Sequence, residues 1–163
     1  MDIPKRKSNR LKKFDYGQQG CYFLTLCAKD CQPLFSTIKS GTECSPAKVI
    51  LSDYGKIVEK QLQNIITAYP DIQIDKYVIM PNHVHLLITL YTDEQSNHPQ
   101  NARIPFLIST LKRFTNKVSG QNLWQRSYYD HIVRDEEDFL IKWNYIDNNP
   151  EKWALDEMYI AHP

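Results

Sequence analysis

No two of the four cysteines, Cys21, Cys27, Cys31 and Cys44, stand at C-x-x-C spacing, and none has a histidine near enough to complete a zinc knuckle. A thioredoxin-type motif is thereby excluded, and reduced core or loop thiols are expected. Long apolar runs are also missing. Nothing approaches the length of a membrane span, and the basic start is not followed by the apolar stretch of a signal peptide, so a cytoplasmic protein without a membrane partner is expected. Net charge is nearly absent too: 20 Lys and Arg against 19 Asp and Glu leave +1. The charge is nevertheless uneven. Residues 1–20 carry Lys5, Arg6, Lys7, Arg10, Lys12 and Lys13 against Asp2 and Asp15, which suits a basic arm lying on phosphate and equally a solvated terminus. With 163 residues, 42% of them hydrophobic, the chain fits a single domain spanning 1–163 that can bury a core without staples.

The richest stretch is Tyr77-Val78-Ile79-Met80-Pro81-Asn82-His83-Val84-His85-Leu86-Leu87-Ile88, two apolar runs meeting at a Pro-Asn corner. Residues two apart on a strand share a face, so His83 and His85 present two imidazoles side by side while Val84 and Leu86 point the other way. Two neutral imidazoles make half of a metal site. They also occur as two polar residues on a wet sheet face. The apolar flanks favour a central, buried strand, where each ring nitrogen needs a partner and a metal can supply one.

In order along the chain, Cys21 to Ala28 is a continuous apolar run expected to form a central strand. A turn-rich loop over 40–46 follows, then a brief apolar patch at Val49-Ile50-Leu51. Ser52-Asp53 can cap a helix whose apolar side is Val58, Leu62, Ile65, Ile66 and Tyr69, stopped by Pro70. The histidine hairpin spans about Ile74 to Met80 and His83 to Tyr91. Thr92 to Arg103 is polar and reads as an exposed loop or flap. A second helix runs from about Pro105 to Ser119 with Leu107, Leu111, Phe114 and Val118 as its stripe, while Lys112, Arg113 and Lys117 sit off it, either solvated or touching DNA. Trp124 to Val133 has the content of a last strand, and its Trp124, Arg126 and Tyr128 suit stacking on unpaired bases. The order βαββαβ predicts an α+β fold, the ferredoxin-like α/β sandwich with two helices on one face of a four-stranded antiparallel sheet, whose first and third strands lie centrally.

A further helix over 135–149 begins at four acids, Asp135-Glu136-Glu137-Asp138, and ends before Pro150. Phe139, Trp143 and Ile146, with Leu140 alongside, form its apolar stripe. Asp138, Lys142, Tyr145 and Asn149 follow a separate one, so Tyr145 sits among polar groups rather than in the core stripe.

Together, Val78 to Ile88, Leu123-Trp124-Gln125, Tyr129 to Asp135 and Tyr145-Ile146-Asp147-Asn148-Asn149-Pro150 resemble the REP-associated tyrosine transposases, single-tyrosine HUH transposases of the bacterial insertion-sequence class. The resemblance covers about Phe14 to Pro150 and rests on the motifs occurring jointly and in order. It implies that His83 and His85 bind a divalent metal, Mg²⁺ or Mn²⁺, that Tyr145 on the extra C-terminal helix is the nucleophile, and that Asn149 completes the metal site, where relatives of the class more often carry Gln. It implies a single-stranded DNA endonuclease and strand transferase acting through a 5′-phosphotyrosine. Its partner would be hairpin-containing DNA from repetitive extragenic or insertion-sequence ends. Lys5, Arg6, Lys12, Lys13, Arg113, Lys117, Trp124, Arg126, Tyr128 and His131 are the candidates for touching that DNA. A homodimer is left open. The alternatives are a catalytically silent DNA-binding or regulatory protein of the same fold, and a small metal-dependent enzyme on a ferredoxin-like sheet.

Overall fold

The computed structural model describes residues 19–91 and 103–159. The candidate arm residues Lys5, Arg6, Lys12 and Lys13, and the loop over 92–102, lie outside them. The described elements are β1 (Gly20–Cys27), β2 (Ser36–Lys39), β3 (Lys48–Leu51), α1 (Asp53–Ala68), β4 (Ile72–Ile79), β5 (His83–Leu90), α2 (Arg103–Ser119), β6 (Tyr129–Val133) and α3 (Glu136–Asn148). Four of the strands form an antiparallel sheet in the order β4-β5-β1-β6. This is the expected ferredoxin-like arrangement, with β1 and the histidine strand β5 in the middle. No helix among the described residues is long and apolar enough to cross a membrane.

Alternation divides the sheet into two faces with different cargoes. Tyr22, Leu24 and Leu26 of β1 and Val84, Leu86, Ile88 and Leu90 of β5 join Val58 and Leu62 of α1 and Ile104, Leu107 and Leu111 of α2 in the main core. The other face turns Phe23 and Leu87 toward Ile146, Phe139 and Trp143 of α3. The third helix therefore covers the side of the sheet that α1 and α2 leave open, and His83 and His85 point to that side.

Local chemistry accounts for the element ends. Ser52 caps α1, its hydroxyl accepting from the Gly55 N–H at 3.1 Å. Gly55 is required there, because a Cβ would collide with the Phe35 carbonyl. Gly120 ends α2 at φ 74°, a left-handed conformation that glycine adopts without steric cost. At the other end of α2, Arg103 pairs with Asp71 just before β4, both buried. That helix starts two residues earlier than its periodicity indicates, so the polar stretch does not extend to Arg103.

Three expectations are corrected. The short hairpin β2–β3 was not expected; it pairs Ser36 with Leu51 through Lys39 with Lys48 and is tied to β4 by the Ser36 hydroxyl donating to the Ile79 carbonyl at 2.9 Å. The buried stripe of α2 is Ile104, Leu107, Ile108, Leu111 and Thr115, whereas Phe114 and Val118 are 41% and 58% exposed. The last strand begins at Tyr129 rather than Trp124, which meets β1 only through an isolated bridge with Ala28.

Lys112 is not a solvated outer cation either. Its ammonium donates to the carbonyls of Gln125 at 2.7 Å and Ser127 at 3.1 Å, holding the loop that enters β6. Burial pushes its pKa down to about 8, so the group still carries its charge at neutral pH. Lys112→Met keeps the stem but leaves those carbonyls without their donor, and should cost about 1–3 kcal/mol in urea unfolding. A change below about 0.5 kcal/mol would mean that water replaces the ammonium freely.

Candidate active site

His83 and His85 are 0% and 2% exposed. The register sets Thr25 of β1 directly opposite His85, and the Thr25 hydroxyl lies 2.8 Å from His85 Nδ1. Asn82, from the Pro-Asn corner, places its Oδ1 2.8 Å from His83 Nδ1. The Asn82 amide orientation is fixed independently, because its Nδ2 donates to the Met158 carbonyl at 2.7 Å. An amide oxygen can only accept, so His83 carries its proton on Nδ1 and leaves Nε2 a bare lone pair. The Nε2 atoms of both histidines are buried without a hydrogen-bond partner. The two rings lie 4.5 Å apart, centroid to centroid.

Burial pushes the pKa of His83 down from 6.5 to about 4, against the opposing pull of Asp156 and the Asn149 side chain. Burial, with His83 adding to it, holds His85 well below 6.5. Both rings are therefore neutral at pH 7, the form that can donate a lone pair to a metal.

Helix α3 brings the other two predicted residues to the same place. Asp135 starts it, accepting from the Asp138 N–H at 2.8 Å. Tyr145, 45% exposed, sets its ring edge-on to His85 at 5.2 Å and to Phe23 at 5.8 Å. Its ring is thus held while the side chain reaches the surface. Burial, then Asp156, raises the Tyr145 pKa above 10, with Asn149 working the other way. Asn149 follows one turn on and is 3% exposed. Its Nδ2 donates to Asp156 Oδ2 at 3.0 Å, and its Oδ1 is buried with no partner. An open cleft of about 580 Å³ lies against Tyr145, lined by Asn144, Asn148, Lys152 and Leu155 among others.

The chain after α3 turns back over the histidines. Trp153 packs on His83 at 5.8 Å, Tyr159 packs on Trp153 at 5.3 Å, and Asp156 brings a carboxylate within 4.8 Å of the ligand atoms of both histidines. Sequence reasoning missed Asp156 and the two orienting groups, Thr25 and Asn82. Thr25 is recoverable only from strand register, and nothing local marks Asp156.

Orphaned acceptors of this kind test whether a divalent metal fits. A bare nitrogen on His83, a buried, unpartnered Nε2 on neutral His85 and an unpartnered amide oxygen are what such an ion requires, and the donor set suits Mn²⁺ or Mg²⁺ with positions left over.

The predicted DNA-contacting residues scatter. Trp124 is 3% exposed, its indole against Phe35 at 4.7 Å and its N–H donating to Thr115 at 2.7 Å. It is a core residue with no face left for a base. Tyr128 is half-buried against the same core. Arg126 is exposed. Arg113 and Lys117 are exposed on α2, across the sheet from the histidines. His131 lies on the α3 side, its Nε2 2.7 Å from Asp138.

No family model matches the chain. A protein of Haemophilus influenzae of uncharacterized function is 33% identical over 177 residues, covering 97% of this chain and 95% of that one. Another from the same organism, bearing the name REP-associated tyrosine transposase, is 23% identical over 88% of this chain and 77% of its own. The REP-associated tyrosine transposase of Escherichia coli is 28% identical over 80 residues, 49% of this chain and 45% of that protein. The solved structure of a REP-associated tyrosine transposase bound to a REP hairpin superposes with a TM-score of 0.60 over 96% of this chain and 77% of the other, at 18% identity. The chain is similar to the REP-associated tyrosine transposases in sequence and shares the fold of the hairpin-bound structure. The superposed part reaches past α3, so the shared fold includes that helix.

Proposed function

We propose that the chain is one HUH transposase domain, a metal-dependent nuclease and strand transferase acting on hairpin-containing single-stranded DNA in transposition or recombination. The observation that supports this most is the trio of buried, unpartnered polar atoms, His83 Nε2, His85 Nε2 and Asn149 Oδ1, gathered beside the half-exposed Tyr145, whose ring is held against His85. A purely structural core would not leave three such atoms orphaned. In this reading His83, His85 and Asn149 hold Mg²⁺ or Mn²⁺, which when bound polarises and orients the scissile phosphate.

The chain's own residues do the rest. Phe23 and His85 fix the ring of Tyr145, so its Oη is aimed before substrate arrives. Loss of the phenolic proton to solvent accompanies attack of Oη on phosphorus. A Tyr–O–P bond forms, the bond from phosphorus to the 3′ oxygen breaks, and that oxygen takes a proton to become a free 3′-hydroxyl. The phosphodiester energy is kept in the 5′-phosphotyrosine, so attack by another 3′-hydroxyl joins a new strand without ATP. Because the surroundings raise the Tyr145 pKa, the phenolate is scarce at neutral pH, and charge stabilisation at the phosphate has to supply the difference.

A DNA partner with a hairpin agrees with the REP hairpin held by the structural relative. Exposed Arg126 and the cleft beside Tyr145 are the surfaces offered to it. The test incubates the protein with labelled single-stranded hairpins and Mn²⁺. A covalent adduct on a denaturing gel, lost in EDTA, is expected. DNA bound tightly with no adduct from any flanking hairpin would leave a silent DNA-binding protein instead.

A further inference from the structure

The donor set above has a deficit of charge. Two neutral imidazoles and an amide bring no negative charge, yet a divalent cation entering a pocket whose ligands are 0% to 3% exposed gives up much of its hydration. Asp156 is the carboxylate in reach. It lies within 4.8 Å of the histidine ligand atoms, and it is the acid that completes the candidate metal cluster among the described residues. Its carboxylate is already held: Oδ2 accepts from Asn149 Nδ2 at 3.0 Å and Oδ1 accepts from the Met158 N–H at 2.7 Å. A carboxylate has about four lone-pair sites, so both oxygens keep one available. The same Asn149 bond turns Asn149 Oδ1 away from Asp156 as the orphaned acceptor.

We propose that Asp156 is the anionic ligand of the metal site and lets the protein load its ion before DNA is present. The proposal rests on the metal reading given above. Without Asp156 the site is neutral, and the missing charge has to come from the DNA phosphate itself. With it, the ion is held by the protein alone. The segment after α3 then belongs to the active site, since Asp156 stands seven residues beyond Asn149 on the stretch where Trp153 covers His83.

Calorimetric titration of the DNA-free protein with Mn²⁺, and separately with Ni²⁺, tests this. Wild type is expected to bind both, and His83→Ala neither. Asp156→Asn should bind Mn²⁺ at least about tenfold more weakly, with a smaller loss for Ni²⁺, because the nitrogen-preferring ion still has both imidazoles. Asn149→Ala supplies the comparison. If D156N and N149A weakened both ions to the same degree, Asp156 would only orient Asn149, and the ligand role would fall. Unchanged Mn²⁺ affinity in D156N with loss in His83→Ala would also remove Asp156 and leave the metal reading standing. A wild type that binds neither ion overturns both. Thermal melts in EDTA establish that each variant is folded, and Asp156→Ser carries the same comparison if D156N is not.

Discussion

Tyr145→Phe should abolish covalent adduct and strand cleavage, a loss of at least about 10⁴-fold, while DNA affinity stays within about twofold. The substitution removes one oxygen and nothing else. The ring contacts, to His85 at 5.2 Å and Phe23 at 5.8 Å, are kept by phenylalanine, and the interaction it gives up is that of the hydroxyl with the Asn149 side chain. The hydroxyl lies on a side chain 45% exposed, so no buried donor is stranded, and thermal stability should change by no more than about 1 kcal/mol. One rival deserves its own control. Tyr159 is 43% exposed and also near the site, but its ring meets Trp153, at 5.3 Å, and it is Trp153 that meets His83. Tyr159→Phe should therefore leave the adduct in place. Cleavage surviving in Tyr145→Phe and lost in Tyr159→Phe would exchange their roles; survival in both would remove tyrosine chemistry at this centre altogether.

The sequence carried the parts of this arrangement that depend on period and punctuation. Alternation in β5 places His83 and His85 on one face, and the apolar flanks place that strand centrally; both hold in the sheet. The two stripes of α3 separate Tyr145 from Ile146, and the structure buries Ile146 while leaving Tyr145 at the rim. Elsewhere the pattern misleads for physical reasons. Phe114 and Val118 continue the spacing of Leu107 and Leu111, but Ile104, Ile108 and Thr115 define the stripe that α2 buries, and apolar residues at its far end remain in water. Trp124 and Arg126 read as a stacking surface because composition does not say which way an aromatic faces; the indole faces Phe35. The strands β2 and β3 are four residues each, with lysines among them, too short for alternation to show. Asp156 is the deepest omission. Its meaning comes from the chain folding back over the sheet after α3, a tertiary fact with no local signature.

Acid should destabilise the protein well above the pH where carboxylates titrate, and the histidine pair is the reason. Both folded-state pKa values are depressed, that of His83 to about 4 and that of His85 well below 6.5, chiefly through burial. An unfolded chain protonates each near 6.5, so between about pH 6.5 and 4 the unfolded state binds more protons than the folded one. Stability therefore rises with pH across that window and is lost as the solution is acidified through it. For His83 alone the displacement corresponds to roughly 3 kcal/mol, a large share of the total for a domain of this size. Urea midpoints measured from pH 7 to pH 4.5 should fall steeply, and in a variant carrying His83→Gln and His85→Gln the slope over that range should largely disappear. Asp138 does not confuse the result, because its pKa is lowered, mainly by the hydrogen bond from His131, and its contribution is lost only at more acidic pH. Mn²⁺ gives the second arm. A metal binds the neutral imidazoles and competes with protons, so its addition should raise the melting temperature at pH 7 and have little effect at pH 5. A flat pH profile in the wild type would mean that these rings open to water without unfolding the chain, and a pocket that opens so readily could not hold two nitrogens unpartnered.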